Sequence, residues 1–177
     1  MNVIASRRPV VSVIGASKPS ARVYQVAEEV GREVASRGYV LACGGLGGVM
    51  EAACRGAKQA GGTTLGILPV PDKSAANRYV DIVVPTNLHY ARNVLVVLAG
   101  DAVVAVGGAA GTLSEMAYAW VYDKPIVALN AEGMDGWSVA LAGKRIDETR
   151  PDAVLSANSA REALDLVAKF VPPPQRA

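Results

Sequence analysis

The chain has 177 residues, enough for one domain with a substantial core. Its hydrophobic content is 51%, but aromatics make up only 5%, so the apolar mass is Val, Ala, Leu and Ile; this suits buried parallel strands under Ala-rich helices. Eighteen basic and 16 acidic residues leave a net charge of +2, which argues against a sequence-independent grip on nucleic acid and leaves room for a small basic pocket. No apolar run approaches the roughly 20 residues of a membrane span. Met1 to Pro9 lacks the apolar core and cleavage site of a secretory signal. A soluble cytoplasmic protein is therefore expected. Cys43 and Cys54 are the only cysteines and His89 the only histidine. Their spacing matches no zinc pattern, so no protein-held metal is expected, and reduced thiols are the simpler reading.

In chain order, Val10 to Gly15 reads as a buried strand, followed by a turn through Ser17 and Pro19. Tyr24 to Arg37 carries a helical apolar stripe at Val23, Ala27, Val30 and Val34, with Gly38 placed to end it. Tyr39 to Cys43 is a second strand, Met50 to Ala60 a helix, and Thr63 to Leu68 a third strand. Pro69 to Arg78 is a loop. A short strand at Asp81 to Val84 precedes a helix at Leu88 to Leu98. Ala102 to Val106 is the fifth strand, Thr112 to Tyr122 a helix and Ile126 to Asn130 the sixth strand. A helix within Gly133 to Ala142, a weak strand at Ala153 to Leu155 and an amphipathic helix at Asn158 to Phe170 complete the pattern. Residues 1–9 and 171–177 are expected to be loose tails of a single domain. The alternation implies a doubly wound, mainly parallel α/β sheet of six to seven strands flanked by helices.

Two glycine turns dominate this pattern. Gly44, Gly45, Gly47 and Gly48 follow the second strand; Gly107, Gly108 and Gly111 follow the fifth. Right-handed crossovers put both at the carboxyl edge of the sheet, where such folds bind ligands. Free amides at the helix starts beyond them suit an anion, and the helix dipole reinforces this. The first turn is neither a dinucleotide fingerprint nor a P-loop; close helix–strand packing is its other reading. Thr112 and Glu115 fit a capping box; alternatively Thr112 joins the glycine amides on a phosphate and Glu115 faces the ligand. Arg92 is positioned to pair with a phosphate or with Glu115. Gly15, Ala16 and Ser17 leave the first strand at the same edge, with Lys18 beside them. His89 shares the stretch of Arg92, Asp72 and Lys73 sit in a loop that suits a lid, Met50 and Met116 read as core, and Cys43 ends a strand at the pocket. Tyr118, Trp120 and Tyr122 suit either core or an interface.

Gly-Gly-x-x-Gly-x-Met at Gly44 to Met50, Gly-Gly-x-x-Gly-Thr-x-x-Glu at Gly107 to Glu115 and Arg92 between them resemble the paired motifs of the LOG-type, lysine-decarboxylase-like Rossmann superfamily. The resemblance runs over roughly residues 10 to 170. It implies a Rossmann-like fold, homo-oligomers (dimers or tetramers) and, for LOG-type members, hydrolysis of the N-glycosidic bond of nucleoside monophosphates with Arg92 and Glu115 as the catalytic pair. No pyridoxal-phosphate lysine signature is present and no NAD is expected. The chain departs from the LOG pattern at Val106, where those enzymes have Pro, and at Asn93, where they have Lys. Gly56 to Thr64, running into Ile67-Leu68-Pro69, and Ala91-Arg92-Asn93 are more similar to the molybdenum cofactor carrier proteins. That likeness implies an anionic phosphorylated pterin carried without catalysis, the metal arriving with it, and molybdoenzymes as acceptors. A regulatory nucleotide-binding protein is a third reading.

Overall fold

The computed structural model describes residues 7–174. Seven strands form one sheet in the order β4-β3-β2-β1-β5-β6-β7, every neighbouring pair parallel. They are β1 (Val10–Gly15), β2 (Val40–Cys43), β3 (Thr64–Leu68), β4 (Ile82–Pro85), β5 (Ala102–Val106), β6 (Ile126–Leu129) and β7 (Leu155–Ala157). Six α-helices cover both faces: α1 (Ala21–Ser36), α2 (Val49–Gln59), α3 (Asn93–Ala99), α4 (Ala110–Val121), α5 (Trp137–Leu141) and α6 (Ala160–Ala168). The architecture is an open Rossmann-like α/β fold. No helix among the described residues is long and apolar enough to cross a membrane.

The strand alternation divides the core in two. Val11, Val13, Leu41, Val104 and Val106 point to α1, α2 and α6. Ile14, Val103, Ala105, Ile126 and Ala128 point to α3 and α4, where Val96, Val97, Met116 and Trp120 meet them. All five residues of β5 are buried. The central strands read as near-continuous apolar runs because helices cover both faces of the sheet.

Local signals fix the helix ends. The Ser20 hydroxyl accepts from the Val23 amide at 3.3 Å to start α1. Gly38 closes its far end with φ +83°, its amide on the Ala35 carbonyl at 2.9 Å. At α6, Ser159 accepts from the Glu162 amide at 3.2 Å while the Glu162 carboxylate accepts from Asn158 at 2.8 Å. The Ser-x-x-Glu spacing therefore acts as a cap there.

Three expectations are corrected, and one open reading is decided. Leu88 to Leu98 is not one helix. A 3-10 turn at His89–Arg92 precedes α3, because the Ala91 amide closes on Leu88 three residues back and the His89 amide is held by the Pro69 carbonyl. The seventh strand lies two residues later than Ala153 to Leu155: Val154 instead bonds Lys144 and buries its side chain. Trp120 takes the core reading of the aromatic run. It is buried, with its indole N–H on Asp147 at 2.7 Å and the Arg150 guanidinium 4.6 Å over its ring; Tyr118 and Val121 of α4 and its C-cap Tyr122 are exposed large side chains. The tails are bonded to the domain at Arg7, Arg8, Pro9 and Val171. Arg7 pairs with Asp101 at 2.5 Å, and the Val171 carbonyl accepts from the buried Tyr39 hydroxyl at 2.5 Å. Residues 1–6 and 175–177 lie outside the described residues.

Candidate ligand-binding site

Because β1 lies between β2 and β5, the turns that follow these three strands leave the same edge side by side. A cavity of about 770 Å³ opens there, a volume typical of small-molecule sites. Gly15, Ala16 and Ser17 form its β1 side, and Leu46 and Met50 the β2 side. Pro69, His89, Tyr90, Arg92 and Asn93 close a third side. The fourth is Ala109, Ala110, Gly111, Thr112, Ser114 and Glu115. Lys18, Asp72 and Lys73 are not on this wall; Asp72 instead caps its own 3-10 turn by accepting from Ser74 at 2.8 Å.

The fourth side carries bare amides. Helix α4 starts at Ala110, two residues before the expected Thr112, with Ala109 as a cap that lends no side-chain bond. Thr112 is thus already inside the first turn and the expected Thr112–Glu115 capping box does not form. The first amide to close the helix is that of Leu113, on the Ala109 carbonyl at 3.0 Å. Among the described residues, the amides of Ala110, Gly111 and Thr112 have no acceptor. Gly107 and Gly108 face the other way. The Gly107 amide donates to the Ser138 hydroxyl at 2.8 Å, and the two glycine carbonyls accept from the Ser138 and Trp137 amides.

The first turn is built for packing. Gly45 donates its amide to the Cys43 sulfur at 3.3 Å. The carbonyls of Gly45 and Leu46 are bound by the Asn77 side chain at 3.2 and 2.9 Å. Gly48 has φ +70°, and a Cβ there would stand 2.5 Å from the carbonyl oxygens of both Ala16 and Ser17. A Cβ at Gly44 would overlap the Arg92 guanidinium and the Met50 sulfur. Gly44, Gly45 and Gly48 thus pack closely and do not line the cavity, while Gly47 is exposed.

Arg92 and Glu115 meet across the cavity floor. Both are about nine-tenths buried, and Arg92 Nη1 stands 3.8 Å from Glu115 Oε1, too far for a hydrogen bond. No described residue accepts a hydrogen bond from the guanidinium, and its Nε is fully enclosed without a partner. Burial pushes the Glu115 carboxyl up to about 7 and the Arg92 guanidinium below its usual range, although each charge opposes the other's shift. Desolvation outweighs attraction on both sides of this pair, as is common for enclosed ions. Asn93 fixes α3 against the start of α4: its side-chain amide donates to Ser114 Oγ at 2.9 Å, and Ser114 donates to the Gly111 carbonyl at 2.7 Å.

The SLOG cluster4 family model matches residues 8–164. The chain belongs to this family. The family lies within the LOG-type superfamily that the paired motifs resemble. A molybdenum cofactor binding protein from Rippkaea orientalis superposes with a TM-score of 0.84 at 34% identity, over 94% of this chain and 99% of that one. The molybdenum cofactor carrier protein of Chlamydomonas reinhardtii gives 0.81 at 34% identity, over 93% and 99%. A cytokinin riboside 5'-monophosphate phosphoribohydrolase from Mycobacterium tuberculosis is 33% identical over 145 residues, 75% of this chain and 77% of that protein.

Several wall residues were missed by local sequence reasoning. Leu46, Pro69, Ala109 and Ala110 carry no chemical signature of their own. Ser114 was passed over as a helix residue, and Tyr90 as part of a continuous helix. The signal for Tyr90 was weak but present: Asn87 and His89 both adopt positive φ, at 55° and 47°, as short polar residues do more readily than others.

Proposed function

We propose that the cavity binds a phosphorylated small molecule, and that this protein carries molybdenum cofactor without transforming it. The observation that supports this most is the Arg92 guanidinium: it is buried, has no hydrogen-bond acceptor and lines the same cavity as the bare amides of α4. A buried guanidinium without hydrogen-bond acceptors is costly. An anion at the start of α4 would supply acceptors to both the guanidinium and the helix amides. The 34% identity to a cofactor binding protein over nearly the whole chain supports the pterin as cargo. Its phosphate would sit against Arg92, Gly111 and Thr112, with Gly15, Ala16 and Ser17 on the other flank. Molybdenum would arrive bound to the pterin and would need no protein ligand. Molybdoenzymes are the matching acceptors.

Glu115 supports a second reading, hydrolysis of a nucleoside 5'-monophosphate. A carboxyl pushed up to about 7 is protonated in a large fraction of molecules at neutral pH, and that fraction has a proton to give to a departing base. One experiment separates the two. The purified protein is incubated with AMP and with isopentenyladenosine monophosphate, and separately with molybdenum cofactor released from a molybdoenzyme. Retention of the pterin through gel filtration with no free base formed supports the carrier. Base release that is lost in Glu115→Gln and Arg92→Ala overturns it in favour of the hydrolase. The exposed Leu95, Leu98, Tyr118, Val121 and Tyr122 on α3 and α4 support assembly of identical copies, which sedimentation of the purified chain tests.

A further inference from the structure

Two cysteines that take no part in the proposed function lie behind the cavity. Cys43 ends β2 and Cys54 lies on α2; both are fully buried, and their sulfurs stand 3.5 Å apart. Cys54 is four residues beyond Met50 and so shares its helix face. The Cys43 sulfur accepts the Gly45 amide at 3.3 Å. The Cys54 thiol bond holds the Cys43 thiol below its ordinary value, aided by the Gly45 amide and the Arg92 charge and opposed by burial. The same thiol–thiol bond and burial push Cys54 up. The two sulfurs are thus unequal: of the pair, Cys43 is the one whose proton is the more readily lost.

We propose that Cys43 and Cys54 form a thiol–disulfide modification site, oxidised by a peroxide, that reshapes the first glycine turn beneath Arg92. The Cys43 thiolate attacks a peroxide oxygen; the S–O bond forms, the O–O bond breaks, and the released hydroxide takes up a proton as water. Cys54 sulfur then attacks the Cys43 sulfenic acid, its proton leaves with the displaced hydroxyl as a second water, and the S–S bond forms. Two thiols and one hydrogen peroxide give one disulfide and two waters. The sulfurs must close from 3.5 Å to about 2.05 Å. The Cys43 sulfur thereby turns from the Gly45 amide it now holds. Gly44 lies between these two residues, packed so closely on the Arg92 guanidinium that a methyl group has no room. A shift of the turn is therefore passed to Arg92.

The test uses the full chain, reduced and then treated with hydrogen peroxide. Intact mass without reductant should fall by about 2 Da, the two hydrogens lost, and neither cysteine should alkylate after denaturation. Peptide mapping should recover a Cys43–Cys54 cross-link that dithiothreitol reverses. In Cys54→Ser, which has no resolving sulfur, dimedone should trap a sulfenic acid at Cys43. Wild-type thiols that still alkylate in full, or a stable sulfinic acid at either site, overturn the pair. Amide exchange across residues 44–50 should rise at least threefold on oxidation while β5 stays unchanged; equal exchange overturns the coupling to the turn. Any effect on cargo rests on the carrier reading, and pterin retention should fall in the oxidised protein. If the reduced protein retains no pterin, the carrier reading fails, while the mass and exchange results still decide the disulfide.

Discussion

The two glycine turns have the same grammar and different degrees of packing. Each leaves a buried parallel strand and opens a helix on the same edge of the sheet. The turn after β5 leaves the amides of Ala110, Gly111 and Thr112 unclaimed at the cavity. The turn after β2 packs two of its glycines tightly, Gly44 under Arg92 and Gly48 against the carbonyls of Ala16 and Ser17, and leaves Gly47 exposed. One turn presents its backbone to the cavity. The other lets backbone elements touch, and through Gly44 it holds the guanidinium in place. Glycine richness thus signals close approach, and the approaching group can be protein as readily as phosphate.

Substitutions can break this contrast. The largest effect is expected from Arg92→Ala, which removes the one buried cation at the cavity and should weaken binding of the phosphorylated ligand about 100-fold by calorimetry. Gly48→Ala comes next: with positive φ and two carbonyls in the way, it should cost about 3 kcal/mol in urea unfolding. Gly44→Ala should cost less stability yet lower ligand affinity about tenfold, because the new methyl displaces the Arg92 guanidinium, the group whose charge-assisted bonds hold the anion. If Gly44→Ala binds normally, the first turn has no part in positioning Arg92.

The pH response sharpens the same comparison. Glu115, on the helix of the second turn, is raised from an ordinary 4.5 to about 7. Between those values the folded chain binds more protons than the unfolded one, so stability falls as pH rises. The contribution is complete below about pH 4.5 and is lost as pH passes through about 7. Urea midpoints for Glu115→Gln should lack that decline; an identical decline would assign it to other groups. The smallest effect is expected at Gly111, where a Cβ would meet only Asn93 at 4.0 Å. Gly111→Ala should leave stability within about 0.5 kcal/mol, or raise it slightly, because alanine orders the helix start at no steric cost.

Much of the site was legible before any coordinates. Gly15, Ala16, Ser17, Arg92, Gly111, Thr112 and Glu115 do meet at one cavity. Strand-to-helix alternation and crossover handedness suffice to put these positions on one edge. The helix start at Ala110 was not legible, because Thr112-x-x-Glu115 carries a capping pattern that burial of both side chains overrides. The same pattern at Ser159–Glu162 lies on the surface and does cap.

The sequence by itself determined the order of strands and helices, the parallel sheet and the shared edge of the two turns, since apolar period and chain handedness are local properties. Only the tertiary structure decided which amides are spent and which are bare. The Gly107 amide is claimed by Ser138, 31 residues further on, and the Gly45 carbonyl by Asn77, 32 residues further on. Partners so distant leave no local pattern. The enclosure that strips Arg92 of acceptors, and that sets two sulfurs 3.5 Å apart, arises only when the sheet brings its edges together.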